Sequence, residues 1–424
     1  MKFKALLLLL GDIGVLYGSL ASTLYLRHRL VPFDDYWAHH VVPFSIIFVI
    51  WLAVFYFHDL YSVEAFRINT KFFTVLVQAT IFNGLIAISF FYLTGAFSIT
   101  PKTNLVIFSA FFFLLFIAFR ALSADVIRGK EHCKRLAFLG LSDFEENLVR
   151  EAISESVLPM IEVPFNDYYF DALIAGQKAY TADQKDLYES VVRGREVTDL
   201  VSFLEAITNK IPITLASTDW FINKFALVQD REYVLVKRIF DVFLSVGFLI
   251  FFALPMLIIS TIIKLSSHGP VLYKQTRTGK NGISYVLYKF RSMTIDAEIN
   301  GAQWSQKNDN RVTKIGKILR HTHLDELPQL WNILVGEMSF VGPRPERPEM
   351  ISLLNTEIPF YSLRHLVKPG VTGWAQINYP YGASVEDAKN KLAYDLYYVK
   401  HRAFFWDIRI IVKTLATMVR GEGR

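Results

Sequence analysis

Apolar residues run in long unbroken blocks through the first part of the chain. Residues 5–25, 43–57, 73–97 and 105–122 each have the length of a membrane helix, the second being the shortest. Lys2 and Lys4 precede the first block, and Arg120, Arg128, Lys130, Lys134 and Arg135 cluster at or after the fourth. Cytoplasmic loops carry the excess of lysine and arginine, so both ends of a four-span unit over residues 1–130 are expected on the cytoplasmic side. Asp12 falls inside the first block. An intramembrane carboxylate is a functional candidate by default, but a helix-bundle contact or an interfacial position is the favoured reading.

After Lys134 the pattern shortens. Arg135-Leu136-Ala137-Phe138-Leu139-Gly140-Leu141 reads as a buried strand, and Ser142-Asp143 can cap a helix over 144–154. An amphipathic helix over 197–208 and a strand over 211–215 follow. The alternation predicts a small cytoplasmic α/β domain over 134–230, Rossmann-like in its strand-to-helix turn at Gly140. That turn holds one glycine where the dinucleotide fingerprint needs three, so a structural, regulatory or oligomerisation role is favoured over nucleotide binding.

A further apolar run covers 242–263, with Lys237 and Arg238 before it and Lys264 after it. It is long enough to cross, but Pro255 sits inside it. A crossing would carry everything after Lys264 out of the cytoplasm, away from activated nucleotide substrates. A re-entrant helix over 236–266, broken at Pro255, keeps both basic ends on one face. Residues 267–424 are mixed and mostly polar, with several short helices expected. Near the end, Phe404-Phe405-Trp406-Asp407-Ile408-Arg409-Ile410-Ile411-Val412-Lys413 suits either an interfacial helix or a core helix with snorkelling bases.

Composition sharpens this. Apolar types make up 52% of 424 residues and the mean hydropathy is positive, too greasy for an ordinary soluble enzyme. The net charge of +6 on such a chain points to anionic lipid or phosphate partners. No nucleic-acid module is recognisable. Cys133 is the only cysteine, which excludes an intrachain disulfide and a cysteine metal cluster.

The chemistry gathers around Asp325 and Glu326. Leu327, Leu330, Trp331 and Leu334 recur at helical spacing after them, and Pro328 is tolerated only in a first turn, so a helix is expected to start at Asp325 or Glu326. Carboxylates there are common caps. The same place also lowers a carboxylate pKa and can receive phosphate, and a carboxylate with diphosphate oxygens suits Mg²⁺. Arginine supplies the bidentate fork that phosphate recognition uses, which makes Arg277, Arg291, Arg320 and Arg344 candidates. Arg277 is expected at a turn, and Arg344 is held between Pro343 and Pro345. His321 and His323 could serve a metal, but a helix would point them apart.

Five segments then become recognisable together. They are Lys237-Arg238-Ile239-Phe240-Asp241, Tyr288-Lys289-Phe290-Arg291-Ser292-Met293, Leu324-Asp325-Glu326-Leu327-Pro328-Gln329-Leu330, Met338-Ser339-Phe340-Val341-Gly342-Pro343-Arg344-Pro345 and Lys368-Pro369-Gly370-Val371-Thr372-Gly373-Trp374-Ala375-Gln376. In order and spacing this part of the chain resembles the bacterial sugar transferase family, monotopic polyprenyl-phosphate hexose-1-phosphate transferases. The four-span unit and α/β domain resemble its larger members, which start exopolysaccharide or O-antigen repeat units. The resemblance implies a catalytic domain over 267–424, anchored by a re-entrant helix broken at Pro255. It implies Asp325 as the nucleophile and Mg²⁺ ligand, paired with Glu326. Arg320 and Arg344 correspond to the family's basic residues, while Lys289, Arg291, Gln275 and Arg277 match motif positions of less defined role. Leu254 stands where some members carry serine. A nucleotide diphosphate sugar, expected as UDP-hexose, would give its hexose-1-phosphate to undecaprenyl phosphate at the cytoplasmic face of the bacterial inner membrane, releasing UMP. Oligomeric state is left open. The competing non-enzymatic reading is a membrane scaffold for polysaccharide assembly.

Overall fold

The computed structural model describes residues 2–27, 33–57, 60–61, 70–94, 102–128, 133–156, 159–166, 169–225, 231–266, 268–294, 297, 311–379, 382 and 384–420. Lys130, the last residues of the predicted third span and the end of the predicted α/β domain lie outside them. Contacts divide the chain into two compact units, Met1–Leu136 with Ile153–Asp171 and Ala137–Ala152 with Ala172–Arg424.

The first unit holds four helices long and apolar enough to cross a membrane: α1 (Lys2–Arg27), α2 (Phe33–Phe57), α3 (Thr70–Thr94) and α4 (Lys102–Arg128). The second predicted span was placed too late. Pro43 reads as a helix start, yet α2 runs through it from Phe33, as apolar helices packed against neighbours tolerate. Aromatic residues at helical spacing make the seam. Phe44, Trp51 and Phe55 of α2 meet Phe108, Phe112 and Phe116 of α4, with Phe55 and Phe112 stacked at 5.6 Å. Asp12 is a bundle contact: it is fully buried and accepts from Arg120 Nη2 at 2.7 Å. The Arg120 guanidinium also lies over the Phe116 ring at 4.7 Å. Asp12→Asn is expected to cost about 3–5 kcal/mol of stability, since removing one partner strands a buried charge. Thermal unfolding in detergent checks this, and Asp12→Leu with Arg120→Leu is expected to lose less.

A four-stranded sheet follows in the order β2-β1-β3-β4, from β1 (Lys134–Leu139), β2 (Met160–Glu162), β3 (Ala172–Ala175) and β4 (Glu196–Asp199). β1 pairs parallel with β2, and β3 with β4. Ser142 caps α5 (Asp143–Glu155) with Glu145 in a reciprocal capping box. A Cβ on Gly140, whose φ is +65°, would lie 2.4 Å from Ala179 N, and one on Gly176 would lie 2.2 Å from Gly140 O. The turns after β1 and β3 are thus in backbone contact. Short helices α6 (Ala179–Ala182) and α7 (Gln184–Val192) lead to β4.

Two sequence expectations change here. The predicted helix over 197–208 begins as strand β4; α8 (Leu200–Thr208) starts only after Asp199, whose carboxylate accepts from Ser202 N at 2.8 Å. The predicted strand over 211–215 is a turn. Pro212 has no N–H to give a ladder, and Ile211 N donates instead to Ala393 O. Ile211 and Ile213 join Trp220 and Phe221 of α9 (Thr218–Phe225) in one core with Leu392, Leu396 and Tyr398.

α10 (Arg231–Phe251) and α11 (Ala253–Ser266) meet at a 60° bend. The break is at Phe252, one turn before Pro255, whose missing N–H removes the bond to residue 251. Ile239, Phe243, Ile250, Phe251, Leu254 and Leu257 are exposed along this pair. Beyond it come the hairpin β5 (Leu272–Thr278) and β6 (Ser284–Phe290), helices α12 (Lys314–His321) and α13 (Gln329–Val335), and strand β7 (Ser339–Val341). They are followed by α14 (Pro348–Glu357), β8 (Gly370–Thr372) paired parallel with β7, α15 (Trp374–Asn378), α16 (Val385–His401) and α17 (Phe404–Arg420). α17 sends Ile410 and Asp407 into the core and lays Arg409 over Trp406 at 4.5 Å, while Phe405 stays exposed.

Candidate active site

The hairpin supplies one wall. Antiparallel register sets Tyr273 opposite Lys289, Gln275 opposite Leu287 and Arg277 opposite Tyr285. Side chains alternate across a sheet, so these six share one face. Arg277 therefore stands on a strand, not at the predicted turn, which begins at Gly279. Asn332 of α13 ties this wall to the helix that follows the dyad. Its Nδ2 donates to Val286 O at 2.7 Å and its Oδ1 accepts from Tyr288 N at 3.1 Å.

Asp325 and Glu326 do not begin a helix as expected. They occupy a single 3₁₀ turn, Leu324–Glu326, and α13 starts after Pro328. His323 sits at φ +56° and closes off α12. Pro328 cannot donate to Leu324 O, and the chain instead makes successive short bonds, Glu326 N to His323 O, Leu327 N to Leu324 O and Leu330 N to Leu327 O. Both carboxylates are buried, Asp325 to 4% exposure.

Glu326 is tightly engaged. Its Oε1 accepts from Lys289 Nζ at 2.7 Å and from Arg344 Nη2 at 2.9 Å. Burial alone would raise its pKa, but the two cations reverse this and hold the carboxyl well below the usual range. Lys289 and Arg344 also feel the Asp325 charge. Two carboxylates and two cations therefore converge, one carboxylate clamped and the other beside it.

Arg344 is positioned from behind. The segments around Gly342 and Gly370 approach so closely that a Cβ on Gly342 would lie 2.3 Å from Lys368 O. The carbonyl of Arg344 accepts from Arg364 Nη2 at 2.9 Å, and Arg364 is itself buried against Asp395 at 2.7 Å and Tyr361. Arg277 Nη1 reaches Pro345 O at 3.2 Å, and its Nη2 donates to Gln275 Oε1 at 2.6 Å, so this pair braces the Pro-Arg-Pro turn. Arg320, near the end of α12, donates through Nε to Ser292 Oγ at 2.9 Å. Arg291 is buried and donates to His268 O at 2.9 Å, fastening the exit of α11. Lys289 and Arg344 thus touch the dyad through Glu326, whereas these bonds of Arg277, Gln275, Arg320 and Arg291 go to the frame around it.

Arg364 and Asp395 were not singled out as site residues from sequence. Neither lies in a motif, and only the return of α16 brings them together. The segment from Lys237 to Asp241 has a visible task. Lys237 Nζ reaches Asp407 Oδ2 at 2.6 Å, Arg238 donates to the carbonyls of Ile333 and Leu334 at 2.7 Å each, and Asp241 Oδ1 accepts from Ser339 Oγ at 3.1 Å. These bonds dock α10 on the domain that carries the dyad.

The profile of the bacterial sugar transferase family matches residues 232–421. The exopolysaccharide production protein PSS of Rhizobium leguminosarum bv. phaseoli is 44% identical over 197 residues, which cover 45% of this chain and 98% of that protein. The UDP-N-acetylgalactosamine-undecaprenyl-phosphate N-acetylgalactosaminephosphotransferase of Aeromonas hydrophila is 42% identical over 198 residues, 47% of each chain. The UDP-glucose:undecaprenyl-phosphate glucose-1-phosphate transferase of Escherichia coli (strain K12) is 41% identical over 183 residues, 43% of this chain and 39% of that one. The match spans about half the length of the Aeromonas relative. With nearly the whole Rhizobium protein covered, the chain belongs to the bacterial sugar transferase family.

Proposed function

We propose that the chain transfers a hexose-1-phosphate from a UDP-hexose to undecaprenyl phosphate and so starts an exopolysaccharide or O-antigen repeat unit. The observation that carries this reading is the clamped Glu326 with Asp325 beside it, both buried and both in the field of Lys289 and Arg344. The names of the relatives support the donor and acceptor classes.

In the first step an Asp325 carboxylate oxygen attacks the phosphorus that bears the sugar. An aspartyl oxygen–phosphorus bond forms, the diphosphate oxygen–phosphorus bond breaks, and UMP departs with the electron pair. In the second step an oxygen of the lipid phosphate attacks the same phosphorus, the aspartyl bond breaks, and the carboxylate is regenerated. Arg344 and Lys289 stabilise charge on the transferring and leaving phosphates, and Glu326 fixes where they point. Arg364 holds the carbonyl of that arginine, and Arg277, braced by Gln275, holds the carbonyl of Pro345 beside it. The donor set fits Mg²⁺ brought with the substrate. Among the described residues no three His, Cys, Asp or Glu side chains form a cage, but one protein carboxylate with diphosphate oxygens suffices for this ion. When bound it would screen the diphosphate and orient it against Asp325.

The 60° break, the exposed apolar faces of α10 and α11 and the basic residues at both ends support a re-entrant helix. This would hold the dyad at the cytoplasmic face of the inner membrane, where a bilayer-bound acceptor and a soluble donor can use one site in turn. The test is UMP release in detergent with Mg²⁺ and undecaprenyl phosphate across a panel of UDP-sugars. Release with one donor, dependent on the acceptor beyond a single turnover, is the expected result. No release with any donor would overturn the reading.

A further inference from the structure

Lys368 is half-buried just before Pro369 and β8, and its ammonium group makes no hydrogen bond or ion pair among the described residues. In this it differs from Lys237, Lys289 and Lys400, each of which reaches a carboxylate. Its neighbours are cations. A Cβ on Gly336 would lie 3.3 Å from Lys368 Nζ and 3.4 Å from Arg238 Cζ, so both charges flank one point at the end of α13. Burial, together with Arg238, Lys280 and Lys237, holds Lys368 below the usual lysine range. The anion that offsets this, Asp241, is already engaged by Ser339 Oγ and Phe340 N. Lys237 is engaged by Asp407. Arg238 donates to the carbonyls of Ile333 and Leu334, which leaves Lys368 as the cation here with no hydrogen bond or ion pair among the described residues.

The place of Lys368 and Arg238 matters. Arg238 lies on α10 one residue before Ile239 and five before Phe243, both exposed. If α10 and α11 are embedded in lipid, as proposed above, these cations stand at the end of the pair that precedes the apolar run starting at Val242, which is headgroup level. Lysine and arginine there attract anionic lipid. The reacting phosphate is served elsewhere, since Glu326 engages Lys289 and Arg344.

We propose that Lys368 and Arg238 form a site for the phosphate of an anionic bilayer phospholipid whose acyl chains lie along the exposed face of α10. The full chain would be purified in mild detergent, equilibrated with phosphatidylglycerol, and its retained lipid counted by native mass spectrometry. Lys368→Gln is expected to lower phosphatidylglycerol retention about fivefold, the effect of one interfacial cation, while Lys368→Arg retains it. The KM for undecaprenyl phosphate is expected to stay unchanged. Unchanged retention in Lys368→Gln would overturn the proposal. So would a raised acceptor KM with unchanged retention, which would assign the cluster to the acceptor. The membrane reading is checked separately by quenching of Ile250→Trp with brominated acyl chains. Absent quenching removes that reading and this proposal together, whereas quenching with unchanged retention removes this proposal alone.

Discussion

Asp325→Asn is expected to abolish sugar-phosphate transfer, with turnover falling about 10⁴-fold or more, the scale on which an enzyme loses its nucleophile. Asparagine matches the aspartate in size and enters a buried turn closed by backbone bonds, so the chain is expected to fold. Glu326, Lys289 and Arg344 keep their mutual contacts, which confines the loss to chemistry. With a donor labelled in the sugar phosphate, wild type without acceptor is expected to carry label on the protein, discharged when undecaprenyl phosphate is added, and Asp325→Asn to carry none. Asp325→Glu moves the carboxylate by one methylene and is expected to cost roughly 10²-fold, the usual result of misplacing a reacting group. Asparagine activity within tenfold of wild type would sink the nucleophile assignment. An inactive variant beside a wild type that never takes up label would favour direct attack by the lipid phosphate, with Asp325 only a metal ligand.

What the sequence reveals and what it hides divide along physical lines. Long apolar blocks are unmistakable because a bilayer demands about twenty residues, and four such helices appear. Local competition is harder to read. Residues 197–199 continue a helical pattern, yet Asp199 gains more as the cap of α8, and Pro212 turns an apolar stretch away from any ladder. The dyad was legible as residues and illegible as geometry. Pro328 looked like a first-turn proline, whereas its missing donor separates a 3₁₀ turn from α13. Positioning residues hide deepest. Arg364 looks like any surface arginine until Asp395 and the Arg344 carbonyl close on it, contacts set by tertiary structure alone.

Glu326→Gln separates charge from shape at the centre of the site. Glutamine fills the same volume but cannot hold two cations, so the part-buried Lys289 loses its counter-ion and Arg344 loses its anchor. Breaking a buried pair costs about 3–5 kcal/mol; with Arg344 41% exposed and screened by water, roughly 2–4 kcal/mol is expected here. Both freed cations can then turn to Asp325 and damp its nucleophilicity, and a fall in kcat of about 10²-fold is expected. The pH dependence carries the sign. A carboxyl held below its ordinary range in the folded state stabilises fully above the ordinary glutamate pKa of about 4.3. That contribution is lost as pH falls further. The gap in unfolding temperature between wild type and Glu326→Gln should therefore be constant at neutral pH and shrink below about pH 4. Adding Lys289→Met to Glu326→Gln removes the stranded charge and is expected to recover stability without recovering activity. A gap that is flat across the acid range, or a double variant no more stable than Glu326→Gln, would show that Glu326 does not clamp these cations in solution.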